Sequence, residues 1–171
     1  WDSKHPHGKL TLTIGNIDIL ENFYEYQLYC KTLNVSINEF NNSVKNSLKI
    51  KSDVDMEELI FNNDNYNIID RTNDVIFTVD PLNSYDFDDG LSVTKNTDDT
   101  YTVSVYITNV YVWLDILNLW NSFSKRVSTI YLPDHRRPML PTLLSEQLCS
   151  LQANKIRFAV AADFIVDING D

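Results

Sequence analysis

The stretch that decides the fold of this chain is Asp80-Pro-Leu-Asn-Ser-Tyr-Asp86-Phe-Asp88-Asp89-Gly90. Four carboxylates fall within these residues, directly after an apolar, strand-like run. Magnesium prefers hard oxygen ligands and takes only a few carboxylates, because water and substrate phosphate complete its shell. Carboxylates this close repel one another, so a bound cation is a natural means of keeping them ionised. The stretch indicates a divalent-metal site, and an acidic loop solvated at the surface is the plain alternative.

A calcium loop is a second alternative, because Asp86, Asp88 and Gly90 match part of such a pattern. An EF-hand needs a glutamate further along the loop and a helix on each side. Position 97 is Thr97, and the flanking residues are typical of strands. The pattern therefore disfavours calcium.

Periodicity predicts strands on both sides of the acidic stretch. Val75–Val79 should be a strand that stops before Pro81, because proline cannot donate to a ladder. The later elements predicted are strands at Leu91–Val93 and Tyr101–Val110 with a turn between them, a helix at Trp113–Val127, an irregular segment around Pro133, Pro138 and Pro141, a helical turn at Ser145–Leu151, and a strand at Phe158–Val166.

The first 70 residues carry weaker patterns. Residues 8–20 alternate apolar and polar side chains, which predicts half-buried strands with a turn at Gly15-Asn16. Residues 21–34 are expected to be helical. The stretch 38–67 is rich in Asn, Ser, Lys and Asp, and we interpret it as a connector around one short helix at Met56–Phe61.

Several motifs now follow one another at the spacing of a known family. Phe77-Thr-Val-Asp80, then five residues, then Asp86-Phe-Asp-Asp89 resembles the signature of the ribonuclease II/R and Dis3 family. Later blocks are also similar to that family, in the same order: Val103–Val110, Arg126–Pro133, Pro138–Pro141, Leu144-Ser145 and Leu148–Leu151. Separate motifs in a compatible order are far more specific than one acidic cluster.

The resemblance implies a domain organisation and a fold. Residues 70–171 should be the N-terminal half of the RNB exoribonuclease domain. Pro6–Gly15 resembles the end of a cold-shock, OB-type barrel, so residues 1–40 are expected to be the C-terminal part of that RNA-binding domain and 41–69 a connector. The fold class implied is α+β, a mixed α/β module with a mixed β-sheet and helices, preceded by a β-barrel remnant. The ends, Trp1 and Asn169–Asp171, indicate a piece of a longer chain.

The resemblance also implies roles for individual residues. Asp80, Asp86, Asp88 and Asp89 would hold magnesium, with manganese as a substitute, and the scissile phosphate. Asp80 and Asp89 are the expected direct ligands, and Asp88, with Asp86, is expected to be catalytic. The RNA-binding candidates are Tyr131, which would stack on a base, and Arg126, Arg136 and Arg137, which would meet phosphates.

Three departures from the family bear on activity. Gly90 stands where the family usually has alanine, and the smaller residue should be tolerated at this position. Tyr106 and Asn109 stand where many members have histidine and aspartate, which removes one carboxylate near the site. The sequence also ends before the family's second half, with its Ser-Pro-Ile-Arg-Arg-Tyr-like segment, and before the S1 domain. The chain alone can therefore bind metal and still fail to hydrolyse RNA.

Bulk properties bound the remaining function classes. The net charge of −10 argues against general nucleic-acid binding, but residues 116–162 carry six Lys and Arg against two Asp and Glu, a balance of +4. Cys30 and Cys149 are too few for a disulfide framework. Cys149 is expected to be a small packed hydrophobe, and His5, His7 and His135 show no catalytic pattern. No apolar run is long enough to span a bilayer, and an intracellular location, cytoplasmic or nuclear, is expected.

Three functional hypotheses remain open. The first is a magnesium-dependent 3′-to-5′ exoribonuclease that degrades single-stranded RNA to nucleoside 5′-monophosphates, without a membrane partner and with a further role in an exosome-like assembly through the full-length parent. The second is a degenerate, non-catalytic RNA-binding or scaffold module of the same family. The third is an acidic protein-interaction domain that binds no RNA.

Overall fold

The computed structural model describes residues 4–5, 7–50 and 52–167. The expectations for Pro6 and for the chain ends at Trp1 and Asn169–Asp171 lie outside these residues. The chain divides into two compact units, Trp1–Ser36 and Ile37–Asp171. In chain order the elements are α1 (Leu20–Cys30), α2 (Asn38–Ile50), α3 (Asp53–Phe61), β1 (Asp89–Lys95), β2 (Tyr101–Thr108), α4 (Val110–Ile116), α5 (Trp120–Phe123), β3 (Ile130–Tyr131), β4 (Arg136–Arg137), a π-helical turn (Leu144–Leu148) and β5 (Ala159–Val166).

The first unit contains the predicted helix but not the predicted strands. Residues 7–19 form no strand, and helix α1 begins directly afterwards. The turn after Gly15 is present. The side-chain oxygen of Asn16 accepts the amide of Asp18, and the backbone carbonyl of Asn16 accepts the amide of Ile19. The strand prediction for residues 8–20 is wrong, because alternation alone does not provide a partner strand for the backbone. The OB-type remnant stays a prediction.

Helices α2 and α3 correct the prediction of a connector with one short helix. Each buries apolar residues four positions apart, Phe40 and Val44 in α2 and Met56 and Ile60 in α3. This spacing puts both side chains on one helix face. Ser52 starts α3 with a capping box, in which its hydroxyl accepts the amide of Asp55. A few correctly spaced apolar residues thus outweigh an Asn-rich composition.

The main core lies in the second unit. It combines residues of α2 and α3 with α4, the segment after α4, the π-helical turn and Phe158, which directly precedes β5. Trp113 is fully buried there and packs edge-on against Phe158. The predicted helix at Trp113–Val127 is two short helices, because Leu117 and Leu119 are both buried, and residues two apart in one helix face opposite sides. Asn118 makes the break with a φ of +53°, a conformation that asparagine tolerates.

A three-stranded sheet of order β1-β2-β5 carries the site. Both pairings are antiparallel, with Gly90 opposite Tyr106 and Ser104 opposite both Ser92 and Asp163. The strands predicted at 91–93, 101–110 and 158–166 are confirmed within a few residues. The mixed helix-and-sheet fold is also confirmed, and the expectation of a mixed sheet is refined, since these strands pair antiparallel only.

Two short segments complete the second unit. The prediction of a strand at Val75–Val79 is wrong, because only Phe77 pairs, in an isolated bridge to Leu91. The segment around the prolines contains a two-stranded hairpin of β3 and β4, and the predicted helical turn is the π-helical one. Among the described helices, none combines the length and the apolar character needed to cross a bilayer.

Candidate active site

The acidic loop runs between two points where its backbone is tied to the sheet. Before the loop, Phe77 and Leu91 exchange both backbone hydrogen bonds, at 2.9 and 2.8 Å. At its end, the carbonyl of Asp88 accepts the amide of Thr108 at 2.8 Å, and Asp89 begins β1. Both ends of the loop therefore lie next to the sheet. This brings the carboxylates of Asp86, Asp88 and Asp89 close to strand β1, which is a rigid element.

The middle of the loop is tied to Ser150, which is fully buried. The Ser150 hydroxyl donates to the carbonyl of Tyr85 at 3.1 Å and accepts the amide of Phe87 at 3.1 Å. The amide of Leu151, the residue after Ser150, donates to the carbonyl of Phe87 at 2.9 Å. One hydroxyl thus contacts the peptide groups on both sides of Asp86.

The four aspartates differ in their surroundings. Asp88 and Asp89 are exposed, whereas Asp80 and Asp86 are half-buried. One oxygen of each half-buried carboxylate, Oδ2 of Asp80 and Oδ1 of Asp86, is buried without a hydrogen-bond partner. A buried carboxylate oxygen without a partner loses its hydration and gains nothing in return. Such atoms are typical of a place where a cation or a further donor is bound in the functional protein.

Asp86 and Asp88 are close enough to influence each other. Burial, and then the negative charges of Asp88 and Glu146, raise the pKa of the Asp86 carboxyl, while the guanidinium of Arg136 opposes this shift. Arg136 also forms an ion pair with Glu146 at 3.0 Å. The structure therefore groups two of the predicted aspartates with one predicted arginine and with Glu146, which sequence reasoning missed.

The four aspartates are not gathered into a preformed metal site. Within residues 4–5, 7–50 and 52–167, no group of three acidic, histidine or cysteine side chains is close enough together to hold a metal ion. The donor chemistry fits magnesium, since all four side chains offer hard oxygens and two of those oxygens are orphaned. The residues fit the ion in kind, and the assignment of direct ligands stays a prediction.

Tyr131 and Arg136 lie opposite each other in the β3–β4 hairpin. Directly opposed residues of antiparallel strands present their side chains on the same face. Tyr131 is 78% exposed, so its ring is available to a ligand, while Arg136 acts on Asp86. The hairpin thereby connects the predicted stacking residue with the acidic loop.

The other two arginines are less accessible than predicted for phosphate binding. Arg126 is half-buried and donates to the carbonyl of Pro138 at 2.6 Å, and burial lowers the pKa of its guanidinium. Arg137 is also half-buried, opposite Ile130. Arg126 thus holds the proline-containing segment together. The sequence alone could not distinguish this structural role from a role in binding RNA phosphates.

Tyr106, one of the departures from the family pattern, is part of a polar network on the sheet. Its buried hydroxyl shares a 3.1 Å hydrogen bond with Ser92 and lies 3.4 Å from both Arg71 and Asp74. Arg71 donates to both oxygens of Asp163, at 2.7 and 2.6 Å. The phenol therefore ties the segment that leads into the acidic loop to the face of the sheet.

Several smaller predictions also have outcomes in the structure. A methyl group added at Gly90 would approach Cγ2 of Ile76 at 3.3 Å, a tight contact with a side chain that is itself exposed. Cys149 is buried as predicted, and burial raises the pKa of its thiol to about 12. His135 contacts Asp134 in the hairpin turn. Asn109 precedes α4 without capping it through its side chain.

Sequence reasoning missed the residues that support the loop from behind. Ser150 and Arg157 are the clearest examples, because Nε of Arg157 donates to the Ser150 carbonyl at 3.0 Å and its guanidinium pairs with Glu57 at 3.3 Å. The only signal in the sequence was the block Leu148–Leu151, which resembles the family but reveals no role. A serine hydroxyl 63 residues from its partner Phe87 can be recognised only in three dimensions.

Comparison with known proteins identifies relatives along most of the chain. DIS3-like exonuclease 2 from Schizosaccharomyces pombe is 34% identical to this chain over 170 residues, which is 98% of the chain. A ribonuclease R from Ureaplasma parvum is 35% identical over 60% of the chain, and an exoribonuclease 2 from Salmonella heidelberg is 36% identical over 54%. The chain spans 18%, 14% and 15% of these three proteins, respectively.

A solved structure supports the same relationship. Mycoplasma genitalium RNase R, in complex with ribose-methylated single-stranded RNA, superimposes with a TM-score of 0.55 and 26% sequence identity. The superposition covers 82% of this chain and 21% of that protein. The model of the RNB domain family matches residues 68–171, which include the acidic loop, the sheet and the hairpin. The resemblance seen in the sequence is thus confirmed, and the chain belongs to the RNB domain family.

Proposed function

We propose that this chain is part of a hydrolytic 3′-to-5′ exoribonuclease that degrades single-stranded RNA to nucleoside 5′-monophosphates with magnesium. The observation that carries the proposal is the pair of orphaned oxygens of Asp80 and Asp86, buried in an RNB-domain loop with four carboxylates. The relatives named as exonucleases and ribonucleases, and the RNA-bound RNase R, support the same reaction class.

The reaction assigned is hydrolysis of the terminal phosphodiester. A water oxygen forms the new bond to phosphorus, and the bond to the 3′ oxygen of the preceding nucleotide breaks, so that this oxygen leaves as a hydroxyl. Asp80 and Asp89 would hold the ion, and Asp88 and Asp86 would orient ion and phosphate. When bound, magnesium, or manganese in its place, supplies Lewis-acid chemistry at the scissile phosphate.

RNA recognition is assigned to the hairpin and its surroundings. The exposed ring of Tyr131 would stack on a base near the 3′ end, which is independent of sequence. Arg136 would exchange its partner Glu146 for a phosphate, which positions the backbone without specifying bases. Membership of an exosome-like assembly and an intracellular location stay predictions.

A non-catalytic RNA-binding module is the second candidate. The absence of a preformed three-ligand group among the described residues favours it. Asn109, in place of an aspartate, also removes one carboxylate. This candidate predicts that the full-length protein retains RNA without forming product, whatever metal is supplied.

The test is cleavage of a 5′-labelled single-stranded RNA by the full-length protein that carries this chain. We expect processing from the 3′ end with magnesium and none with EDTA. Asp88→Asn should abolish cleavage while the Kd for RNA stays near that of the parent. Asp99→Asn, at the far end of the β1–β2 hairpin, is the matched control and should cleave normally. Cleavage by Asp88→Asn at the parent rate would exclude the assigned cluster.

A further inference from the structure

Ser150 is a buried polar residue to which the proposed chemistry assigns no role. Its hydroxyl has two partners, and both belong to the acidic loop: it donates to the Tyr85 carbonyl and accepts the Phe87 amide. These groups belong to the two peptide units that flank the α-carbon of Asp86. Rotation about the N–Cα bond of Asp86 moves the Tyr85 carbonyl relative to the Phe87 amide, and so does rotation about its Cα–C bond. A single hydroxyl bound to both groups therefore restrains both φ and ψ of Asp86.

The backbone around this contact restrains the loop further. The Leu151 amide donates to the Phe87 carbonyl, and the Thr108 amide donates to the Asp88 carbonyl. The Thr108 hydroxyl in turn donates to the carbonyl of Cys149, the neighbour of Ser150. The segment after the π-helical turn and the end of β2 therefore hold the loop from two sides, and the Ser150 side chain makes two hydrogen bonds to it.

Ser150 is itself held in place by a half-buried ion pair. Nε of Arg157 donates to the Ser150 carbonyl, and the Arg157 side chain, 9% exposed, pairs with Glu57 of α3. Helix α3 is anchored in the core through Met56 and Ile60. A continuous series of contacts thus leads from the core to the backbone of Asp86, which is the arrangement needed to keep a catalytic carboxylate in one orientation.

We propose that Ser150 is a positioning residue, which holds the Asp86 carboxylate in the orientation that the aspartate cluster needs to bind a divalent ion and the scissile phosphate. This proposal rests on the proposed function. It extends that function because it assigns metal affinity and turnover to a residue that contacts neither ion nor RNA. Loss of a group that orients a metal ligand typically costs about ten- to a hundredfold in metal affinity or activity.

The decisive variant is Ser150→Ala in the full-length protein, compared with Ser104→Ala. Ser104 is also a buried serine, but its hydroxyl donates to Asp163 on the sheet. Ser150→Ala should lower kcat and raise the half-saturating magnesium concentration, each by about ten- to a hundredfold. The KM for RNA should stay near the parent value, because Tyr131 and Arg136 are untouched. Ser104→Ala should change none of these quantities.

Two further measurements do not depend on RNA cleavage. Hydrogen exchange without metal should be faster at the Phe87 amide of Ser150→Ala than in the parent or in Ser104→Ala. Manganese binding, followed by electron paramagnetic resonance, should be weaker in Ser150→Ala alone. If Ser150→Ala fails to fold, Ser150→Cys, which keeps the side-chain shape but hydrogen-bonds poorly, takes its place with the same expectations.

The outcomes separate this proposal from the proposed function. If the parent binds manganese but does not cleave RNA, the nuclease function fails, while weaker manganese binding and faster exchange in Ser150→Ala still support the positioning role. If the parent cleaves RNA and Ser150→Ala matches Ser104→Ala in kcat, metal dependence and Phe87 exchange, the positioning role is overturned and the nuclease function stands.

Discussion

At the scale of the residue, Asp163 shows how neighbours set the behaviour of one carboxyl group. Two hydrogen bonds from the Arg71 guanidinium, and a further one from Ser104, hold the pKa of Asp163 well below its usual range. These bonds favour the ionised form in the folded state only. The stabilisation is therefore complete above the unfolded-state pKa of about 3.9 and is lost as the pH falls through the lower folded-state pKa.

This direction of the pH dependence predicts how the stability of Asp163→Asn changes in acid. The free energy of unfolding of the parent should fall between about pH 5 and about pH 2, and the variant should lose less over the same interval because it has no carboxyl at this position. Denaturant titrations across this interval measure the difference. Asp64→Asn, an exposed site in the turn after α3, serves as the control and should follow the parent. An unchanged pH profile in Asp163→Asn would contradict the assignment.

At the scale of the element, the β3–β4 hairpin is a short structure that presents the exposed ring of Tyr131 on one face. Tyr131 contributes little to packing at 78% exposure, so its removal tests binding separately from folding. Helix α3 is the opposite case, because Ser52 and Asp55 cap its first turn and because Met56 and Ile60 enter the core.

Tyr131→Ala should weaken binding of single-stranded RNA to the full-length protein by about tenfold, since stacking contributes about 1–3 kcal/mol per base. Its melting temperature should not change. Tyr131→Phe keeps the ring and should bind as the parent does. Fluorescence anisotropy with a labelled oligonucleotide gives both Kd values, and equal affinity of the alanine variant would remove Tyr131 from the interface.

Ser52→Ala should lower the free energy of unfolding by about 0.5–2 kcal/mol, because the first turn of α3 loses its cap. Ser52→Gly should cost only a few tenths of a kcal/mol, since glycine is accepted at an N-cap. Chemical denaturation of both variants provides the comparison. An unchanged free energy of unfolding in Ser52→Ala would mean that the capping hydrogen bond contributes nothing.

At the scale of the whole molecule, the core of the second unit joins segments that are far apart in sequence. Residues of α2 and α3 pack with α4 and the π-helical turn, so a stretch expected to be a connector packs in the same compact unit as the acidic loop. The charge is equally uneven, because the net −10 of the chain contrasts with the +4 of residues 116–162, which hold Tyr131 and Arg136.

Ile60→Ala tests whether α3 belongs to this core. Ile60 is fully buried, and the cavity should cost about 2–5 kcal/mol. Leu59→Ala, at the neighbouring position that is 39% exposed, should cost less than half as much. Denaturant unfolding of the two variants measures the difference, and equal small losses would restore the connector interpretation.

The sequence alone was sufficient for the family, for the positions of the three sheet strands along the chain and for the acidic loop, because these depend on local signals. Alternation over Tyr101–Val110 and the spacing from Asp80 to Asp89 are visible in a short window. Residues 8–20 show the limit of such a window. Their alternation is as regular, but a strand requires a partner for its backbone, and pairing is a non-local property.

Tertiary structure alone decided which side chains surround the loop. Two buried leucines split the helix predicted at Trp113–Val127, and Arg126 contacts the carbonyl of Pro138. Ser150 reaches the carbonyl of Tyr85 and the amide of Phe87, on either side of Asp86, across more than sixty residues. Which polar groups a buried serine or arginine satisfies depends on what packing brings within about 3 Å of it, and no local pattern in the sequence contains that distance.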